Sequence, residues 1–472
     1  MILTDLERHI KLQDLYRQAE LERSLSHSSW QTHCTVWPVL SRVRKTSRGA
    51  PIMPELPQAK LEQTRLWNRD FTLYLLGVAQ SSLGSALSSV ALSFLTLTVT
   101  GSVGAMGVTL ALGLLPNLFA PLMGTLIDRV PLRIPLILGD VLHGLALLLV
   151  AFLATRAGLS APIFYGFAFL NGLLGTLTGP ASSSLLPHLV PQSELSRAAG
   201  LLGMAGQSTA LVGLLLGGFM VSKLGSIPAL LIDGLTFLLM AFLYLFIRIP
   251  ARAAVLKKQS FGRDLLEGLT FVRGTFLVAL VCIMAFLLNA TFAPIQMLMP
   301  AQMLKFGVGA QGYSVGMALL TLGLLAGSAL LSSLGRRLSP ALATGLGLGI
   351  LTLGMVVFAS SGLYALFLLG LSLLGLGMAF TNTSIGVLMM TIVPAEMRGR
   401  TFALLGAVAQ AGMPLTLFIL SPYADRIPFS SVFWVAGLTG LVMTGVWFTL
   451  AYPRAGQPVP KADSLESDTL LS

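Results

Sequence analysis

Long apolar runs alternate with short polar junctions along most of the chain. One run, GVTLALGLLPNLFAPLM from Gly107 to Met123, carries no charge. It is followed by GTLIDRVPLR (residues 124–133), with an acid and two arginines, and then by the apolar IPLILG. Twelve such runs fall at about 71–98, 104–127, 134–155, 161–185, 198–221, 226–248, 275–299, 312–334, 341–360, 364–390, 401–422 and 428–452. Each is about as long as a helix needs to be to cross ~30 Å of hydrocarbon. Backbone in lipid must satisfy its own hydrogen bonds, so only helices or closed barrels span a bilayer. The runs are uniformly apolar rather than alternating, which excludes barrel strands. The pattern therefore predicts an all-α membrane protein with twelve transmembrane helices, here called spans 1 to 12.

The longest internal polar stretch, RIPARAAVLKKQSFGRDLLEGLTFVRG (Arg248 to Gly274), divides the spans six and six. The expected organisation is a tail over 1–66, a six-helix bundle over 67–248, a linker over 249–274, a second bundle over 275–452 and a tail over 453–472. The bundles are also related in sequence. At an offset of 203, LVPQSELSRAAGLLGMAGQ (Leu189 to Gln207) overlays IVPAEMRGRTFALLGAVAQ (Ile392 to Gln410). Without a gap, the same offset pairs Gly172 with Gly375, Gly124 with Gly327 and Arg133 with Arg336. Apolar bias does not explain shared Pro, Arg and Gln positions, so the chain reads as a duplicated six-helix unit. Parallel repeats of this kind build alternating-access transporters.

Charge fixes the expected topology. With the N-terminus inside, the inner loops hold thirteen basic residues, Arg129, Arg133, Arg197 and Arg400 among them, and the outer loops hold four. That bias places both termini on the cytoplasmic side of the membrane. The chain is 54% apolar, 10% charged and +11 in net charge. The basic residues sit in short loops and tails with no contiguous basic face, so nucleic acid is not an expected partner. The two cysteines, Cys34 and Cys282, make no disulfide framework or metal site. The first 66 residues are polar, with seven acids, and do not resemble a signal peptide. Met53 opens MPELPQAKLEQTRLWNRDF, a plausible start, so residues 1–52 are expected to be a misassigned extension. The alternative is that LERHIKLQDLYRQAELERSL forms an amphipathic helix on the inner surface.

GTLIDRVPLR resembles the signature loop between helices 2 and 3 of the major facilitator superfamily. The stretches LWNRDFTLYLLGVAQSSLGSAL, GPASSSLLPHLVPQSELSRAAG, DGLTFLL, SFGRDLLEGLTFVR and VPAEMRGRTFALLG resemble its drug-efflux branch, the group of the macrolide-efflux proteins and the enterobactin exporter. The likeness covers roughly residues 66 to 452. Pro131 and Leu132 depart from the loop pattern. Leu214 stands where the helix-5 motif of proton antiporters has proline, and Leu331 replaces the acid in the second repeat.

Asp128 lies at the C-terminal end of span 2, where a carboxylate opposes its own helix dipole. It therefore needs another partner. Arg129, Arg133 or the N-terminus of span 11 near Gly399 to Phe402 can serve, since exposed N–H groups attract anions. The resemblance implies that this contact, together with Gly124, Arg197 and Arg400, gates the cytoplasmic side. A loop acid that marks topology is the plainer reading. Three titratable residues lie inside spans: Asp140, His143 and Asp233. A charge buried in the membrane costs ~2.5–3.5 kcal/mol on insertion scales, so each needs a reason. Asp140 is close enough to the inner end to meet Arg133 or Arg197. His143, one turn on, is expected to bond to Asp140. All three are candidates for proton coupling, and each also has a purely structural reading.

The resemblance implies a cavity lined by spans 1, 4, 7 and 10, helped by 2, 5, 8 and 11. These spans hold no acid or base. Their amides Gln80, Asn117, Asn171, Gln207, Asn289, Asn382 and Gln410 can orient a ligand without fixing a charge or can tie helices together. Gln207 and Gln410, being repeat-related, lead the set. The small-residue pairs Gly175/Gly179, Gly213/Gly217 and Gly323/Gly327 are expected to let helices approach closely. Pro116, Pro121, Pro294 and Pro414 are expected to kink their spans. No P-loop is present, which argues against an ATPase, and no intramembrane cluster of His, Asp and Glu supports an enzyme or a cofactor. The expected function is alternating-access efflux of small, neutral, lipophilic or amphiphilic compounds by a monomer, with protons as the coupling ion. The alternatives are a dedicated siderophore or lysophospholipid exporter and a non-transporting membrane receptor.

Overall fold

The computed structural model describes residues 66–120, 123, 130–156, 158–249, 261–334, 337–360 and 362–455. Gly124, Asp128, Arg129, Pro121, Arg336 and the tail over 1–52 lie outside the described residues. The first repeat contains α1 (Arg69–Thr100), α2 (Val103–Leu114), α3 (Arg133–Thr155), α4 (Ala161–Leu189), α5 (Leu195–Leu224) and α6 (Ser226–Phe246). The linker contains α7 (Phe261–Gly274). The second repeat contains α8 (Phe276–Lys305), α9 (Gly309–Leu334), α10 (Pro340–Ser360), α11 (Tyr364–Ile392), α12 (Arg398–Leu420) and α13 (Phe429–Val446). Eleven helices among the described residues are long and apolar enough to cross a membrane, and Val103–Phe119 is a shorter apolar one.

Local chemistry sets several boundaries. The Asn68 side chain accepts from the Phe71 N–H at 2.9 Å and so caps α1. Its amide donates to the Leu189 carbonyl at 2.7 Å, tying α1 to the end of α4. Gly101, at φ 62°, ends α1 in the left-handed conformation that glycine adopts at no steric cost. Span 2 departs from a plain helix. Its α-helical part stops at Leu114 and a 3-10 turn follows over Leu115–Phe119, because Pro116 has no N–H to continue the ladder. The linker also holds more order than a polar loop, since α7 is an amphipathic helix against the start of α12.

The packing distinguishes the two faces of the membrane-spanning body. At the face where α1 and α12 begin, each repeat has its own core. Phe71, Tyr74, Leu136, Leu185 and Tyr244 form one, and Val278, Val281, Leu388, Ile392 and Trp447 form the other. At the opposite, distal face the repeats share cores. Val90 and Phe94 of α1 pack with Ile295, Met299 and Tyr313, and Ala111 of α2 packs with Ala293, Met297, Met413 and Leu417.

Glycines set the close crossings. A Cβ on Gly172 would lie 2.1 Å from the Gly113 carbonyl, and one on Gly375 would lie 2.0 Å from the Leu320 carbonyl. The repeat-related pair thus makes the same contact twice, α4 on α2 and α11 on α9. Gly213 and Gly217 lie against α1, and Gly323 and Gly327 lie against α11, as their spacing predicts. Gly175 and Gly179 do not follow that expectation. Neither has anything within 4 Å of a built Cβ, because their face of α4 fronts open space rather than a helix.

Candidate functional site

Between the repeats lies a cavity of about 520 Å³. Ser89, Ser93 and Thr96 of α1, Thr109 of α2, Asn117 of the 3-10 turn, and Asn171 and Gly175 of α4 line it from the first repeat. Gln296 of α8 and Tyr313 and Met317 of α9 line it from the second. The wall holds no acid and no base. Asn117, Asn171 and Gln296 have no hydrogen-bond partner among the described residues, so their amides present free donors and acceptors to the cavity. Phe94 and Tyr313 close the distal end across the seam, edge to face at 5.7 Å.

The seven amides expected to share one cavity divide four ways. Asn117 and Asn171 line the seam cavity. Asn289 and Asn382 line a separate crevice of about 250 Å³ that lies wholly within the second repeat. The Gln80 amide donates to the Thr236 carbonyl at 2.9 Å and joins α1 to α6 instead of lining a cavity. Gln207 and Gln410 are exposed and line neither space. Their repeat relationship reflects a shared scaffold position, and a scaffold position does not decide what a helix face meets. Gln296 and Tyr313 are not singled out by the sequence. The signal for Gln296 is an amide inside the apolar run of span 7, but it stands nearer the distal end than Asn289, which holds the midplane.

The carboxylates inside the spans have different surroundings. Asp233 on α6 is 1% exposed. It accepts from the Ser88 hydroxyl of α1 and from the Thr236 hydroxyl at 3.2 Å. It therefore sits in a polar seam between two helices of one repeat. Asp140 is also buried, but it meets neither Arg133 nor Arg197 as expected. Arg133 is occupied elsewhere, donating to the Leu245 carbonyl at 2.9 Å at the end of α6, where a cation complements the helix dipole. Arg197 lies 3.7 Å from Glu194, one turn away. His143 does not bond to Asp140. Its ring stacks on Phe237 with centroids 3.9 Å apart.

The interhelical bonds at the ends complete the geometry. Arg400 pairs with Glu267 of α7, fastening the linker helix to the start of α12. At the distal face Asp425, in the loop after α12, accepts from the Ser102 hydroxyl and from the Val103 N–H, both at 2.7 Å. Val103 is the first residue of α2, so the carboxylate caps a helix of the other repeat. The sequence does not single out Asp425, because an acid in a loop has the appearance of ordinary surface charge. Among the described residues no group of three metal-ligating side chains occurs.

The model of the Major Facilitator Superfamily matches residues 74–417, with a second match over 298–470. Macrolide efflux protein A of Streptococcus pyogenes is 24% identical over 387 residues, 80% of this chain and 95% of that protein. Multidrug efflux pump Tap of Mycolicibacterium fortuitum is 25% identical over 386 residues, 79% of this chain and 93% of that protein. Among solved structures, that of nucleoside transporter NupG superposes with a TM-score of 0.67 at 15% identity, covering 81% of this chain and 98% of that one. The last likeness concerns the fold.

Proposed function

Since the chain belongs to the Major Facilitator Superfamily and is a multi-pass membrane transporter, we propose that it exports small neutral amphiphiles by alternating access, coupled to inward proton movement. The observation that carries this reading is the seam cavity, with its uncharged wall and three unpartnered amides contributed by both repeats. Its volume falls within the ~300–1,000 Å³ of drug-sized sites. With both termini cytoplasmic, as the basic loops indicate, the distal face is external, and the structure is the inward-facing state. The efflux relatives agree with export. Asp128 then serves as the latch that closes the cytoplasmic side in the opposite state, engaging the start of α12. Asp140, buried and met by no basic side chain among the described residues, is the leading proton carrier, and Asp233, held by two hydroxyls, is the second.

The test is flux in proteoliposomes under an imposed pH gradient, over neutral lipophiles, siderophores and lysolipids. The expected result is gradient-driven accumulation of neutral amphiphiles, with dications refused. Asp140→Asn should retain downhill exchange and lose accumulation. Gln296→Leu should raise KM several-fold with little change in thermal stability, since no protein partner is lost. Absence of gradient-driven flux for every compound would remove the antiport reading.

A further inference from the structure

We infer that a groove on the flank of the second repeat binds an anionic phospholipid, with one acyl chain between the helices and the phosphate at Arg426. The groove lies between α8, α12 and α13 toward the distal face and encloses about 340 Å³. Ala290 and Pro294 of α8, Thr416 and Leu420 of α12, and Val432 and Ala436 of α13 line it. It shares no lining residue with the seam cavity or with the crevice of the second repeat. Val435, 64% exposed, stands at its rim, so it opens outward to lipid. A helix crossing explains the gap. A Cβ on Gly412 would lie 2.4 Å from the Phe286 carbonyl, so α12 presses on α8 there. One turn further along each helix, at Thr416 and Ala290, the groove begins. Its wall carries no charge. Even the Thr291 hydroxyl is spent on its own helix, at the Leu287 and Leu288 carbonyls, both 3.0 Å away. Such a wall suits an alkyl chain and leaves polar recognition to the mouth.

Two independent observations identify the occupant. The first is charge at the mouth. Ile427 lines the groove, and Arg426 precedes it in the chain. The backbone N–H groups of both donate to the Tyr423 carbonyl, at 2.9 and 3.1 Å. Asp425 fastens the same turn to Ser102 and Val103 of the first repeat. Arg426 is thus carried on a turn that is held in place. It is exposed, and its guanidinium has no partner among the described residues. Both oxygens of Asp425 are spent on Ser102 and Val103, so the turn offers a headgroup a cation and no free acid. A phosphate finds its partner there, whereas the ammonium of a zwitterionic headgroup finds none. The second observation is depth. Tyr423, which begins the turn, is 59% exposed, and Trp434, next to Val435, is 53% exposed. Exposed tyrosine and tryptophan settle at the headgroup level of a bilayer. That level puts a phosphate beside Arg426 and its acyl chain along the groove.

The site depends on the chain crossing a membrane and not on the transport reading above. The experiment is photolabelling of the purified full-length protein in detergent with phosphatidylglycerol that carries a diazirine on one acyl chain, followed by peptide mapping. Saturable labelling of residues 290–294, 416–420 or 427–436 is expected. Unlabelled phosphatidylglycerol should compete about fivefold better than phosphatidylcholine, the worth of one basic residue at an anionic lipid surface. Arg426→Ala should weaken phosphatidylglycerol about fivefold and erase that preference. Thr416→Phe, with Ser431→Trp as a second way of filling the space, should abolish this labelling in folded protein. Labelling that does not saturate, that survives both fillings, or that Arg426→Ala leaves unchanged overturns the inference. So does competition by inorganic phosphate or by diacylglycerol that equals that of phosphatidylglycerol. Flux failure with saturable labelling intact would count against the transport reading alone.

Discussion

Ser88 and Asp233 show how a single polar contact carries structure inside an apolar body. The carboxylate is buried between α1 and α6 and holds two hydroxyl donors, Ser88 and Thr236. Removing one donor leaves a buried acceptor underbonded, at about 1–3 kcal/mol. Ser88→Ala is therefore expected to lower the melting temperature of the detergent-solubilised protein, and Thr236→Ala to lower it less, since its bond is within α6. If Ser88→Ala melts with the parent, the contact does not hold the two helices together. The sequence marks Asp233 as costly and in need of a reason, and the structure supplies a partner from a helix 145 positions away. That partner is not legible along the chain, because serines are common in it and only the crossing selects one. Asn117 and Asn171 are legible as cavity residues. Gln207 and Gln410 are not, because repetition reports equivalence of position, not exposure.

Among the helices, small-residue spacing predicts the crossings correctly in two of three cases, and the exception has a physical cause. Gly213/Gly217 and Gly323/Gly327 meet a neighbour's backbone, whereas Gly175 opens onto the seam cavity. The same pattern serves close approach or open volume, depending on what lies opposite. Gly375→Ala is expected to cost roughly 1–3 kcal/mol through overpacking against Leu320, and Gly172→Ala a similar amount. Gly175→Ala should be close to neutral in thermal unfolding while narrowing the cavity. Equal destabilisation at all three would show that the crossings do not depend on these contacts. Span 2 is legible as an apolar run, but the 3-10 turn at Leu115–Phe119 depends on how Pro116 is accommodated locally.

Across the molecule, the repeats share cores only at the distal face among the described residues, and Asp425 fastens that face by capping α2 from the other repeat. Asp425→Ala removes both bonds to Ser102 and Val103, so the distal ends should separate more often. Spin labels at Arg156→Cys and Leu363→Cys, with Cys34 and Cys282 replaced by serine, are expected to show a longer distance population in the Asp425→Ala background. An unchanged distribution would mean that the apolar contacts alone hold the face closed. Membrane crossing by helices, duplication of a six-helix unit and an interior poor in charge can all be read from the residues in order. Each follows from hydropathy, from the self-sufficient hydrogen bonding of helices or from an ungapped offset, and all of these are written along the chain. Which amides face a cavity, the separation of two cavities and the closure of one face by Asp425 emerge with the packed fold. They depend on the rotation of each helix and on which neighbour stands opposite, and packing between distant segments sets both.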